Sequence, residues 1–397
     1  MSLNLVNLKA IIHKPISGEW GESEGDVNII RTTNFTNEGR LNLSNVVKRN
    51  IDVDKITRKK LLYGDTIIEK SGGSLSQPVG RVIYFDQIDG TYLCNNFTSV
   101  IRAKSNIDSR YLFWFLFNNH QNQNTLKYQN KTTGIINLQL ERYIEELQIP
   151  LPPLPIQKRI AEILDAADAL RRKDQELLKK YDELAQAVFI DMFGDPVKNE
   201  KGWEVRKLGE VCTKITDGTH DTPERLTEGI KFITGKHIRP FSIDYNNSDY
   251  VTIKVHTEIY KRCNPEYGDI LYTNIGVNYA TAAMNTVNYE FSMKNVALLK
   301  YNRTILSGRF LEFLLNNEYF KDKLRKLTGI GGAQQFLSLA QIKSIPILLP
   351  SIDLQTVFEN KIYPILLLIE KQNTSNQVSS SLFHSLLQKA FSGELVV

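Results

Sequence analysis

The sequence is poor in cysteine. Only Cys94, Cys212 and Cys263 occur in 397 residues. Their number is odd and no two are close, so neither a disulfide framework nor a thiolate metal site is indicated. Histidine is scarce too: six residues, scattered along the chain. Thr219-His220-Asp221 has no second histidine at metal-binding spacing, and a surface-loop histidine is the plain reading. Long apolar runs are missing. Pro364 to Ile369 is far too short to cross a bilayer, and Met1 to Ala10 holds no apolar stretch of signal-peptide length. These absences predict a soluble, cytoplasmic protein with no membrane association. An excess of one charge is lacking as well: 49 basic residues stand against 44 acidic ones, net +5. That balance neither demands nor excludes a nucleic-acid partner; clustering would decide it.

Catalytic signatures are also missing. Asn264-Pro265-Glu266-Tyr267 resembles the Asn-Pro-Pro-Tyr signature of amino-methyltransferases but lacks its second proline. No Gly-rich cofactor loop follows a strand. Gly229 to Lys236 has five residues between its glycines where a phosphate-binding loop has four, and His237 stands where Ser or Thr must hold magnesium. Gly329-x-Gly331-Gly332 follows a helix rather than a strand. No arrangement of two acids and a lysine suggests a nuclease. The expectation is a chain without a catalytic site, cofactor or metal.

What is present is a repeat. Leu8-x-x-Ile11-x-x-Lys14-x-x-x-Gly18 recurs as Leu208-x-x-Val211-x-x-Lys214-x-x-x-Gly218. Tyr63-Gly64-Asp65 recurs as Tyr267-Gly268-Asp269, and Arg110-Tyr111-Leu112 as Arg309-Phe310-Leu311. Leu151-Pro152 with Gln157 recurs as Leu349-Pro350 with Gln355, and Gln186-x-x-Phe189 as Gln388-x-x-Phe391. Five matches in one order, at an offset of about 200, indicate a duplication. The segments between them barely match. The frame repeats while the loops differ.

Each copy ends in a long helical pattern. After Pro155 the apolar residues Ile156, Ile160, Ile163, Ala167, Leu170, Leu177, Tyr181, Leu184 and Val188 step by four and three, with Asp174 breaking the series. That is a heptad seam. Arg171, Arg172, Lys173, Lys179 and Lys180 are expected on its outer faces. The second copy carries Phe358, Ile362, Ile365, Ile369, Phe383, Leu386 and Ala390, with polar Gln372, Asn376 and Ser379 at its middle. Antiparallel pairing would bring the polar centres together. Pro364 should kink the second helix or mark a late start. Taken singly, either helix could be an ordinary amphipathic core helix; two in matching places favour a coiled-coil spacer.

The expected fold class is α+β: two similar mixed α/β domains, residues 1–153 and 192–351, joined by two long helices, 154–191 and 352–397, as an antiparallel coiled coil with a pseudo-two-fold internal repeat. Strands are expected near Val79–Phe85 and Val296–Tyr301, and short helices near Arg110–Asn118 and Arg309–Asn317. The loops share a chemistry. Glu69 to Arg81 and Gln129 to Gly134 join small residues to Lys, Gln and Arg; Thr273 to Tyr279 and Gly329 to Gln335 are the counterparts. Glycine lets backbone N–H groups approach phosphates, lysine neutralises them, and Asn, Gln and Arg can read base edges. Gly/Asn/Ser loops can also be mere turns; their matching places in two copies favour function.

The residues now quoted carry a resemblance. Ile149-Pro150-Leu151-Pro152-Pro153-Leu154-Pro155-Ile156-Gln157-Lys158-Arg159-Ile160, Met192-Phe193-Gly194-Asp195-Pro196, Leu208-Gly209-Glu210-Val211 leading to Thr216-Asp217-Gly218-Thr219-His220, and Leu386-Leu387-Gln388-Lys389-Ala390-Phe391-Ser392-Gly393-Glu394-Leu395 are similar to specificity subunits of type I restriction-modification systems. The resemblance implies two target recognition domains, each reading one half of a bipartite site on double-stranded DNA, with the helices as a ruler. It implies methyltransferase (M) subunits as partners, carrying S-adenosylmethionine, and an endonuclease/translocase (R) subunit. A modification-only complex, or a related restriction type, is the alternative. The candidate DNA contacts are Lys70, Ser71, Gln77, Arg81, Asn130, Lys131, Thr132 and Thr133 in the first copy. In the second they are Asp217, Thr219, His220, Asn274, Asn278, Tyr279, Gln334 and Gln335.

Overall fold

A computed structural model describes residues 4–74, 76–132, 135–276, 278–327 and 336–395. The chain divides into two units: Met1–Gln175 with Thr374–Val397, and Glu176–Asn373.

In the first unit, strands Ile16–Ser17, Thr98–Ile101, Thr66–Glu69 and Val82–Tyr84 form an antiparallel sheet in that order. A second sheet runs Val47–Arg49, Val27–Ile30, Tyr92–Cys94, its last pair parallel. Asp108 starts the helix Ser109–Gln121 by accepting from the N–H groups of Arg110 and Tyr111. Every residue from Tyr111 to Phe117 in that helix is buried. A helix apolar all round must be covered on all sides. Tyr84 of the sheet meets Phe113 on one side, and Phe383 of the second long helix meets Trp114 and Phe117 on another.

The second unit repeats the plan. Its sheets run Cys212–Asp217, Ala297–Tyr301, Ile270–Tyr272, Ala282–Met284 and Asp249–Val251, Ile230–Thr234, Ser292–Lys294. Its helix Gly308–Asn316 is capped by Ser307. A short antiparallel pair closes each unit, Leu5–Asn7 with Gln148–Pro150 and Glu204–Lys207 with Pro346–Leu349. The duplicated mixed α/β fold expected from the sequence is present.

The repeated motifs mark positions where only one residue type fits. A Cβ on Gly18 would lie 1.9 Å from the carbonyl oxygen of Asn95, and one on Gly218 2.2 Å from that of Met293. Gly64 and Gly268 take φ of +94° and +86° in equivalent turns. Beside them, Asp65 accepts from Leu62 N (2.7 Å) and Arg102 Nη2 (2.7 Å). Asp269 accepts from Glu266 N (2.8 Å) and pairs with Lys300 Nζ (2.8 Å).

The long helices span Leu154–Phe193 and Ile352–Ser392. Each unit takes a segment of both. In the first unit the segments run antiparallel: Arg171 lies over the ring of Phe383, and further along Ser375 Oγ donates to Asp174 at 3.2 Å. The expected meeting of polar centres is found there. In the second unit, Phe189 and Phe193 pack on Phe358.

The seam of the first helix corrects the expectation. Leu170 and Leu184 are 48% and 47% exposed, while Arg171 is 8%. A seam of buried or half-buried positions runs through Gln157, Ile160, Leu164, Ala167, Arg171, Asp174, Leu178, Tyr181, Ala185, Val188 and Met192. Alternate positions of the expected seam are displaced by one residue, and Asp174 lies within the seam rather than interrupting it. The second helix covers Gln355, Phe358, Ile362, Ile365, Ile369, Gln372, Asn376, Ser379, Phe383, Leu386 and Ala390, each 198 residues on. The two seams are therefore copies of one another, polar positions included. The helix that begins at Ile352 runs through an exposed Pro364, so that proline marks no late start. Among the described residues no helix is long and apolar enough to cross a membrane.

Candidate nucleic-acid interface

In the first unit the two candidate loops meet in one sheet. Gln129–Thr132, Ile135–Leu138 and Ser71–Gly73 pair in that order. Ser71 Oγ donates to Asn137 Oδ1 at 2.5 Å across it. Asn130 and Gln77 are exposed; Lys131 and Thr132 belong to the same strand by their backbone. Lys70 is half-buried near Ser17 Oγ (3.4 Å), and burial lowers its pKa. Thr133 lies outside the described residues. Arg81 is turned inward. Its guanidinium holds Glu69 at 2.8 and 3.0 Å, donates to the Thr32 carbonyl and covers the ring of Phe35. A buried carboxylate next door claims it, so it is a strut of the loop rather than a group offered to solvent.

The second unit builds the matching place with other residues. Leu138 N donates to Lys70 O in the first unit, and Leu337 N to Asn274 O in the second, both at 2.8 Å. Gly80 N donates to Glu69 O, and Ala280 N to Thr273 O, both at 2.9 Å. The backbone is conserved between the copies while the side chains change. Where Glu69 and Arg81 form an ion pair, Thr273 and Thr281 stand, with Thr281 N on Thr273 Oγ1 at 2.9 Å. Three candidate contacts are buried here. Asn274 (2% exposed) donates to the Leu337 carbonyl, Tyr279 (6%) joins the core, and Asp217 (5%) pairs with Arg262 and His220. Asn278 is half-exposed, its amide donating to the carbonyls of Gly235 and Ile238 at 3.0 Å. Thr219 is half-buried and His220 exposed. Gln334 and Gln335 lie outside the described residues.

Beside these residues opens a cleft of about 570 Å³. Thr222 and Arg225 line it from one loop, Lys236 from a short turn, and Lys294 and Asn295 from the end of a strand; Gly276 and Asn278 close it. Three cations face one anion. Asp249 takes Arg225 and, at 3.3 Å, Lys236, while Lys294 reaches Thr222. The surplus is positive, which suits a polyanion. Arg225, Lys236, Lys294 and Asn295 were not singled out from the sequence. They lie in three separate stretches, and no repeated motif marks them. The parallel pairing of Ile230–Thr234 with Ser292–Lys294 is what gathers two of the stretches.

Comparison with known proteins adds an independent finding. The family model described as the type I restriction modification DNA specificity domain matches residues 15–180 and 200–379. The chain is 26% identical over 297 residues to the type I restriction enzyme MjaVIII specificity subunit of Methanocaldococcus jannaschii, covering 69% of this chain and 68% of that protein. Its fold is similar to the crystal structure of the type I restriction-modification system S subunit from M. genitalium. There the TM-score is 0.63 at 16% identity, over 98% of this chain and 96% of the other. A chain from a structural study of complex assembly and conformational transition in the type I R-M system gives a TM-score of 0.51 at 18% identity, over the whole of both chains.

Proposed function

Because the chain belongs to the type I restriction modification DNA specificity family, we propose that each unit reads one half of a split double-stranded DNA target and that the paired long helices set the unread gap. In this reading residues 1–153 and 192–351 are the recognition domains, and 154–191 and 352–397 the spacer helices. The observation that carries it is the contrast between frame and surface. The same backbone hydrogen bonds recur in both copies, yet the exposed side chains beside them differ: Gln77 and Asn130 in the first unit, Arg225 and Lys236 at the cleft of the second. A duplicated frame with unlike reading surfaces suits a target whose two halves differ.

The contacts follow from placement on these loops and strands. Lys70, Ser71, Gln77, Asn130, Lys131 and Thr132 serve the first half. Thr219, His220, Asn278 and Asn295 serve the second, with Arg225, Lys236 and Lys294 on phosphates. The chain performs recognition and holds no catalytic site. Methyltransferase subunits that bind S-adenosylmethionine supply adenine methylation, and an endonuclease/translocase subunit joins them. The test is a map of methylated adenines in the source genome with and without this gene. Loss of one split motif with a fixed gap is the expected result. Retention of every motif in a strain that expresses the complex would overturn the reading.

A further inference from the structure

Three side chains form a hydrogen-bonded chain at the rim of the second unit's cleft. The Asp217 carboxylate meets Arg262 on one oxygen and His220 Nε2 on the other, at 2.8 Å. The other ring nitrogen, His220 Nδ1, lies 2.9 Å from Asn295 Oδ1. Asn295 lines the cleft. Its backbone is left-handed, with φ of +52°, a conformation asparagine tolerates, and its N–H donates to Thr219 O at 3.2 Å. One end of its amide is thus committed to His220, and the other end points away from that ring.

The two ends of an amide are chemical opposites: the oxygen accepts and the nitrogen donates. Exchanging them needs only a half-turn about the last side-chain bond. A neutral imidazole has one N–H. Asp217 can only accept, so it takes that hydrogen at Nε2. Nδ1 is then an acceptor, and Asn295 must turn its NH2 toward the ring and its oxygen toward the cleft. A protonated imidazole has two N–H groups. Nδ1 then donates to the Asn295 oxygen, and the NH2 faces the cleft. We infer that Asn295 is a base-reading residue of the second unit and that the proton on His220 sets whether it offers the cleft an acceptor or a donor. The charges around His220 are Asp217 on its strand, Arg262 on the helix Ile253–Arg262, Asp221 on the same loop and Lys294 on the neighbouring strand.

The consequence for base preference is definite. An acceptor in the major groove suits the amino groups of adenine N6 and cytosine N4, while a donor suits guanine O6 and N7, thymine O4 or adenine N7, so the contrast is sharpest between cytosine and the keto-bearing bases. Acidification therefore moves one position of the second half-site from an amino-bearing to a keto-bearing base. The inference rests on the reading of this cleft as a DNA-reading surface, and its test separates the two.

The full-length chain is incubated with a pool of randomised DNA duplexes at about pH 8 and about pH 5.5, and bound duplexes are sequenced. The second unit's half-site is identified as the one altered by Asn278→Ala. One position in it should change its preferred base class, the ratio moving about fivefold or more, as a single hydrogen bond allows. The first half-site is the internal control and should stay constant. Asn295→Asp, which only accepts, should hold the amino-bearing preference at both pH values, and His220→Phe should abolish the difference between them. Two defined half-sites with unchanged preferences in the wild-type chain would overturn the switch and leave the cleft's role standing. A change in both halves together would overturn it as well. Absence of any preference in the second half at either pH would overturn the reading of the cleft itself.

Discussion

Gln157 and Gln355 show what a single repeated residue can fix. Gln157 is 1% exposed, accepts from the N–H of Asp108 and donates to the Pro152 carbonyl, both at 2.8 Å. Gln355, fully buried, accepts from Ser307 N and donates to the Pro350 carbonyl, again at 2.8 Å. Each ties a long helix to the cap of its unit's short helix. The sequence marked both as part of the duplication, and the bonds explain why glutamine is kept: its amide accepts through the oxygen and donates through the NH2 on one stem. Arg81, Asn274 and Tyr279 are the opposite case, turned inward although their loops look like surface. They sit in loops rich in glycine and polar residues, and only the fold reveals that Glu69, a backbone carbonyl and a core receive them. His120 offers a test at this scale. It ends the helix Ser109–Gln121, and burial, reinforced by the nearby charge of Arg81, pushes its pKa down from 6.5 to about 4. Between those values the unfolded chain binds a proton that the folded unit refuses, so stability is lost as pH falls through that window. The fall in Tm between about pH 7 and about pH 5 should be smaller for His120→Gln than for the wild type. Equal falls would show that His120 does not govern acid sensitivity.

At the scale of the element, periodicity located both long helices but misplaced the face of the first. The cause is polar residues inside its seam. Apolar residues alone select Leu170, whereas burial selects Arg171, whose guanidinium bonds Asp168 at 2.7 Å and covers Phe383. Asp168 is wholly buried among Arg40, Arg171 and Arg172, and 198 residues on stands Leu366. One copy thus holds a carboxylate among three arginines where the other holds a leucine. Burial alone would raise the Asp168 pKa; its bonds to Arg171 and Arg40 outweigh that and hold it below the usual value. The second helix keeps its seam mostly apolar at the ends, and there the sequence pattern matched burial. The rotated seam predicts a contrast between neighbours. Leu164→Ala empties a fully buried site and should cost about 2–5 kcal/mol, whereas Leu170→Ala should cost under about 1 kcal/mol. Urea unfolding of the full chain decides it, and comparable losses would restore the seam expected from apolar spacing.

At the scale of the whole molecule, duplication is the property that sequence carries best. It survives as residues that admit no substitute: Gly18 and Gly218 under a passing carbonyl, Asp65 and Asp269 binding a turn and a cation, and the two seam glutamines. A reading surface is carried worst, because its residues are free to differ. The cleft of Arg225, Lys236 and Lys294 is assembled from distant stretches and has no motif. The two seams, copies at one offset, bear directly on the proposed ruler. An insertion of four residues after Leu170 adds one helical turn, about 6 Å of rise, and shifts the 3–4 rhythm only locally, as a stutter does. Both recognition surfaces, built outside that stretch, are left untouched. If the helices set the gap, the methylated motif should keep the bases of both halves while the unread stretch changes by about one or two base pairs, since each pair occupies about 3.4 Å. A methylation map of a strain carrying the insertion reads all three quantities at once. Altered bases would mean that the helices shape the recognition surfaces themselves, and an unchanged gap between unchanged halves would mean that something other than the helices measures the distance.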